Sequence, residues 1–189
     1  SEKMLDNRDL MRMYWRSTFL LGSFNFERMQ AMGFCYTLMP AIRKVYRGDK
    51  AAEAAALKRH LEFYNTHPWA SSVIFGVTAA MEEQRAKGEG IEDDTITNVK
   101  IGLMGPLAGV GDPIFWGTAR PVLAALGASL ALNGSIVGPL LFFVGINLLR
   151  VLTRWYGLKF GYERGTEMVT EVGGGQLKKI TQMAAIMGL

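Results

Sequence analysis

Only one of the 189 residues is a cysteine and only two are histidines. A lone Cys35 allows no intrachain disulfide and no cysteine-built zinc site. Its apolar neighbours, Met32, Phe34 and Tyr36, suit a packed thiol better than a nucleophile. His60 and His67 are separated by a proline turn and lack the i, i+4 spacing that puts two ligands on one helix face. No metal and no other cofactor is expected. Charge is missing from one long stretch: between Lys100 and Arg150 only Asp112 and Arg120 are charged, and residues 121–149 carry none. Residues 1–10, SEKMLDNRDL, have no apolar signal-peptide core. The glycine-rich GLMGPLAGVGDP contains no Walker spacing and follows no β-branched strand run, which excludes phosphate-loop and dinucleotide readings. A net charge of +4 spread over scattered basic residues, without interleaved aromatics, excludes a nucleic-acid platform.

What is present is segregated. Hydrophobic residues make up 49% of a chain that is also 20% charged, and the charge collects outside 101–149. That pattern predicts an all-α integral membrane protein with amphipathic helices and re-entrant, broken-helix hairpins. Asp9 marks a helix start, followed by an amphipathic segment with Tyr14 and Trp15 as interfacial anchors and Arg12 and Arg16 on the other side. Gly22 and Ser23 end it, and Gly33 and Pro40 limit helix continuity beyond. Asp49 opens a strongly helical run, DKAAEAAALKRHLEFY, that stops at NTHPW. The basic cluster Arg43, Lys44, Arg47, Lys50, Lys58 and Arg59 is either a solvated face or a segment facing lipid headgroups. An apolar stretch over 70–81 is too short to cross a bilayer, which takes about 20 helical residues; it fits half a re-entrant hairpin or a buried core helix. Glu82 and Glu83 are expected to end that helix in water. Trp155 and Tyr156, flanked by Arg154 and Lys159, read as an interfacial belt. A glycine hinge at 173–175 leads to an apolar ending, AAIMGL, read as the start of a further membrane segment of a longer protein.

Residues 101–149 carry the sharpest expectation. Glycines and prolines, with Pro106, Gly109, Gly111, Asp112 and Pro113 closest together, disfavour an unbroken helix. Irregular backbone in hydrocarbon is tolerated only where it is buried or lines a wet cavity, and discontinuous helices in transporters expose such groups to substrate. Asp112 between Gly111 and Pro113 either caps a helix beginning at Pro113 or accepts hydrogen bonds from sugar hydroxyls. Trp116 either packs or stacks on a sugar face. Glu27, Gln30 and Asn65 bring polar groups to the ends of apolar segments, and Gln30 shares a helical face with Glu27. His67 is a turn histidine bonded to backbone or a general base.

GSFNFERMQAMGF, KRHLEFYNTHPW and above all KIGLMGPLAGVGDPIFWGTARP resemble the enzyme IID subunit of the mannose/fructose/sorbose family of the bacterial phosphoenolpyruvate-dependent phosphotransferase system. The resemblance covers nearly the whole chain. It implies a non-catalytic transport subunit of the bacterial cytoplasmic membrane. Such a subunit pairs with IIC as a trimer of heterodimers of the elevator type and passes a hexose, mannose or glucose, to phosphorylation by IIAB. It implies no phosphorylated histidine here. Asp112, Asn65, Glu27, Gln30, Trp116 and His67 become the candidate substrate-binding residues. The expected organisation is one membrane domain over 1–189, with an interfacial helix at 1–21, a core with re-entrant segments at 22–150 and an amphipathic region at 151–189. The alternative is a scaffold that stabilises IIC and serves as a bacteriocin or phage receptor without touching sugar.

Overall fold

The computed structural model describes residues 3–20 and 29–171. Among them are seven α-helices and one π-helical segment, with no strand; an isolated bridge joins Met29 and Tyr64. The helices are α1 (Asn7–Ser17), α2 (Ala31–Val45), α3 (Lys50–Arg59), α4 (Ser71–Ala86), α5 (Asp93–Gly111), α6 (Arg120–Leu132) and α7 (Val137–Glu171). The π segment (Asp112–Ala119) joins α5 to α6. Two helical runs, Asp93–Leu132 and Val137–Gly165, are long and apolar enough to cross a membrane, so the all-α membrane expectation holds. At ~1.5 Å per residue the first is about 60 Å long, twice a ~30 Å hydrocarbon core. Its first turns lie inside the protein, with Ile96, Val99 and Met104 buried. Beyond them, Val122, Leu126, Leu132, Phe143 and Val144 face outward. Such a surface belongs against lipid or another subunit.

The discontinuity of 101–149 takes a different form from the one expected. The chain does not break at Gly109–Pro113. It runs on as helix and widens into π turns from Asp112 to Ala119, then reverses at the turn before Val137, where Gly134 takes φ +75. A proline supplies no N–H and crowds the preceding turn, and the wider π turn accommodates Pro113. Asp112 is therefore helical and caps nothing with its side chain. Pro40 likewise lies inside an unbroken α2. It leaves the Tyr36 carbonyl, four residues earlier, without its helical donor, and Arg16 Nη1 donates to that oxygen at 3.3 Å.

α4 is the core helix. Nearly all its residues are buried, and its Phe75 clusters with Phe34 and Tyr64. It packs mainly against α7, at a distance only glycine permits: a Cβ on Gly76 would lie 2.3 Å from the Leu158 carbonyl oxygen, and one on Gly161 2.2 Å from that of Val73. In hydrocarbon, burial of apolar surface favours no helix pair over lipid, so close backbone approach by small residues holds such pairs together.

Asp9 lies in the first turn of α1, the negative residue expected near its amino end, and Asp6 is the cap: Asp6 accepts from the Arg8 and Asp9 N–H groups and Asp9 accepts from the Asp6 N–H. Several local expectations are corrected. α3 ends at Arg59, five residues early, because the following segment is pulled into tertiary bonds. Glu82 and Glu83 do not end α4 in water; both are fully buried. Tyr14 is packed inside, and only Trp15 of that pair is exposed. Arg154 is no belt residue but donates to the Tyr14 carbonyl at 2.8 Å, Ser17 Oγ at 2.6 Å and Thr18 Oγ1 at 2.9 Å, closing the end of α1. Gly22, Ser23, Glu27, the glycines at 173–175 and the apolar ending lie outside the described residues.

Candidate functional site

The loop between α3 and α4 is held from three sides. Gln30 donates its backbone N–H to the Tyr64 carbonyl at 2.8 Å. Its side-chain amide donates to the Thr66 carbonyl at 3.2 Å and accepts from the Thr66 N–H at 3.4 Å. Thr66 Oγ1 donates to the Met104 carbonyl of α5 at 2.8 Å, and Tyr64 Oη donates to Ser71 Oγ of α4 at 2.8 Å. Met29, beside Gln30, takes φ 54, a left-handed conformation that costs a non-glycine residue about 1 kcal/mol or more and persists where its surroundings enforce it. Asn65, between the two clamped residues, is exposed. Gln30 is thus placed behind the site: its amide is occupied by the Thr66 backbone, which makes it a positioning residue.

His67 follows on the same loop and is buried. Its Nδ1 accepts the Trp69 N–H at 3.2 Å, the backbone bond expected of a turn histidine, so the ring proton sits on Nε2. Nε2 has no partner among the described residues. The ring lies 5.1 Å from Phe115 and 4.6 Å from Trp116, and Trp69 lies 5.0 and 5.1 Å from the same two rings. The π segment aims Phe115 and Trp116 at the loop, as π turns do at functional sites. Burial lowers the His67 pKa, and the Asp112 carboxylate opposes it. Asp112, His67 and Trp116 therefore come together at one corner where α5 meets the loop. Trp116 keeps 39% of its surface exposed. Aromatic faces, an exposed carboxylate and an exposed amide are the groups that bind a hydroxylated ring; the His67 Nε2–H, unpartnered among the described residues and buried, lies behind them. A groove of about 940 Å³ lined by Glu62, Phe63, Asp93 and Thr97, among others, contains none of the six candidates. No cluster of metal ligands occurs among the described residues.

The model of the phosphotransferase-system mannose/fructose/sorbose family IID component matches residues 4–189. The chain belongs to this family. It is 59% identical to the fructose permease IID component of Bacillus subtilis, covering 100% of this chain and 68% of that protein. It is 54% identical to the mannose-specific EIID component of Escherichia coli K12, covering 100% of this chain and 67% of that one. The chain of the cryo-EM structure of the mannose transporter ManYZ with microcin E492 superposes with a TM-score of 0.94 at 55% identity, over 99% of this chain and 68% of that one. A IID chain is a membrane component of a sugar phosphotransferase system.

Behind the site of this IID chain lies a buried ionic network that the sequence did not announce. Glu82 accepts from His60 Nε2 at 2.7 Å, from Arg59 Nε at 3.0 Å and Nη2 at 3.1 Å, and from Tyr46 Oη at 2.5 Å. Arg59 continues to Asp93 of α5 at 2.5 Å. Burial alone would raise the Glu82 pKa, but the hydrogen bonds from His60 and Arg59 and the Arg59 charge outweigh it and hold it at about 2. Burial keeps His60 below its usual value; the neutral ring donates from Nε2. Lys100 Nζ sits 4.2 Å over the Phe34 ring, without a hydrogen-bond partner among the described residues. These contacts fix the last turn of α3, where the loop carrying Asn65 and His67 begins. Arg59 reads in sequence as part of a solvated or headgroup-facing cluster because its partners are 23 and 34 residues away.

Proposed function

We propose that this chain forms, with a IIC subunit, the translocation pathway of a mannose-type sugar phosphotransferase system in the bacterial cytoplasmic membrane. It catalyses no chemistry of its own. A hexose, mannose or glucose, crosses by an elevator movement in a trimer of IIC–IID pairs and is phosphorylated by IIAB. Residues 1–21 act as the interfacial helix and 22–150 as the core. The observation that carries the reading is the convergence of Asp112, His67 and Trp116 beside the exposed Asn65 on a clamped loop. Trp116 offers a sugar-stacking face, Asp112 and Asn65 accept or donate to hydroxyls, and the buried His67 ring backs Trp116. Gln30 holds the loop, and Glu27 contributes a further carboxylate. Sugar uptake by cells expressing the full permease tests it. Asp112→Asn and Asn65→Ala should assemble at normal levels and lose uptake. Normal uptake by both would remove them from the pathway.

The ManYZ relative was solved with microcin E492, which favours a second role for this chain as part of a bacteriocin receptor. Bacteriocin sensitivity of the same two variants, retained while uptake is lost, would separate that role from transport.

A further inference from the structure

α1 and α2 enclose a groove of about 470 Å³ in which six cationic side chains, Arg8, Arg12, Arg16, Arg43, Lys44 and Arg47, face the carboxylates of Asp6 and Asp9. Lys44 is committed to Asp9 at 2.5 Å, Arg43 pairs with Glu53 at 3.6 Å, and Arg16 lies 4.6 Å over the Tyr36 ring. Arg8, Arg12 and Arg47 form no ion pair among the described residues. Their uncompensated charge needs an anion or bulk water.

The depth of the groove favours an anion fixed to the membrane. α1 runs antiparallel to α7: the Leu5 N–H donates to Tyr162 Oη at 3.2 Å, and Arg154 reaches the Tyr14 carbonyl at 2.8 Å. The groove is therefore level with the stretch of α7 where exposed apolar residues, the last being Phe160, give way to exposed Glu163 and Arg164. At the deeper end of α1, Trp15 and, in the turn that follows, Phe19 are each 63% exposed, level with the exposed Val151 and Leu152 of α7. A cationic groove with exposed aromatics at its deeper end is the arrangement that holds a headgroup and its acyl chains together. We propose that the α1–α2 groove binds the headgroup phosphate of an anionic glycerophospholipid, with Arg8, Arg12 and Arg47 as its ligands and Trp15 and Phe19 against its chains.

The test uses the full-length chain in complex with its IIC partner. Native mass spectrometry of that complex with added phosphatidylglycerol or phosphatidylcholine counts retained lipids. The wild type should retain phosphatidylglycerol at least tenfold more tightly than phosphatidylcholine. An R8Q/R12Q/R47Q variant should lose that preference, and an R8K/R12K/R47K variant should keep most of it, both with unchanged complex mass. Equal retention of the two lipids by the wild type would overturn the proposal. So would undiminished phosphatidylglycerol binding by the glutamine variant. Unchanged lipid preference with loss of IIAB-dependent sugar phosphorylation would assign the groove to an acidic protein surface instead.

Discussion

A Cβ placed on Gly111 would fall 2.7 Å from the Cβ of His67. The last residue of α5 and the loop histidine therefore touch through a space only glycine leaves, which is what lets the π segment bring Phe115 and Trp116 onto the imidazole. Gly111→Ala should push the loop away from those rings. Overpacking of this kind costs about 1–3 kcal/mol, and about 1.4 kcal/mol is a factor of ten in affinity. Sugar uptake should fall about tenfold while the complex still assembles, measured by transport beside complex size in detergent.

Glu82 is the only carboxylate touching the buried His60 and Arg59 together among the described residues. Glu82→Gln keeps the shape and removes the charge, leaving Arg59 buried with Asp93 alone. Removing one member of a buried pair costs about 3–5 kcal/mol. Thermal unfolding of the purified complex should begin several degrees lower. Replacing exposed Glu163 by Gln should change nothing measurable.

The buried network and the loop histidine together set a pH dependence. His60 and His67 lie below the ordinary value of 6.5 in the folded chain, chiefly through burial. The folded state then binds fewer protons than the unfolded one, so their contribution is complete above 6.5 and declines as pH falls below it. Glu82, at about 2 against an ordinary 4.5, contributes stability that is present above 4.5 and lost between 4.5 and about 2. The unfolding temperature should be level from about pH 8 to 7 and fall in two stages below that. Glu82→Gln should remove the lower stage.

The α4–α7 crossing rests on close backbone approach. Gly161→Leu adds a branched side chain where even a Cβ meets the Val73 carbonyl oxygen. The variant should fail to yield assembled complex, whereas Gly105→Ala, with nothing near its Cβ, should express normally. The readout is the amount of intact complex recovered from membranes.

Much of this was legible in sequence, and the limits have physical causes. The charge-free stretch of 121–149 announced membrane helices because solvation acts on composition directly. Asp49 marked its helix correctly because a cap is a local event. Asp112, His67 and Trp116 were marked by residue type and proved to be neighbours, although nothing local joins residue 67 to residue 116. The π segment was misread as a break: proline and glycine disfavour a regular α turn, and sequence does not say whether the chain then unwinds or widens. Glu82 was assigned to water, and Arg59 to a solvated or headgroup-facing cluster, because their partners are distant in the chain. The glycines at 157, 161 and 165, spaced four apart, were the signal for the α7 seam.

Direct sugar binding to the purified IIC–IID complex tests the central claim, that the corner of Asp112, His67 and Trp116 forms this chain's share of the sugar pathway. Titration of wild type and Trp116→Ala with mannose and with glucose, at equal complex mass, gives the affinities. Loss of a stacking face of this kind should weaken binding of the transported sugar about tenfold or more, about 1.4 kcal/mol. Unchanged affinity for both sugars in Trp116→Ala and in Asp112→Asn would contradict the account.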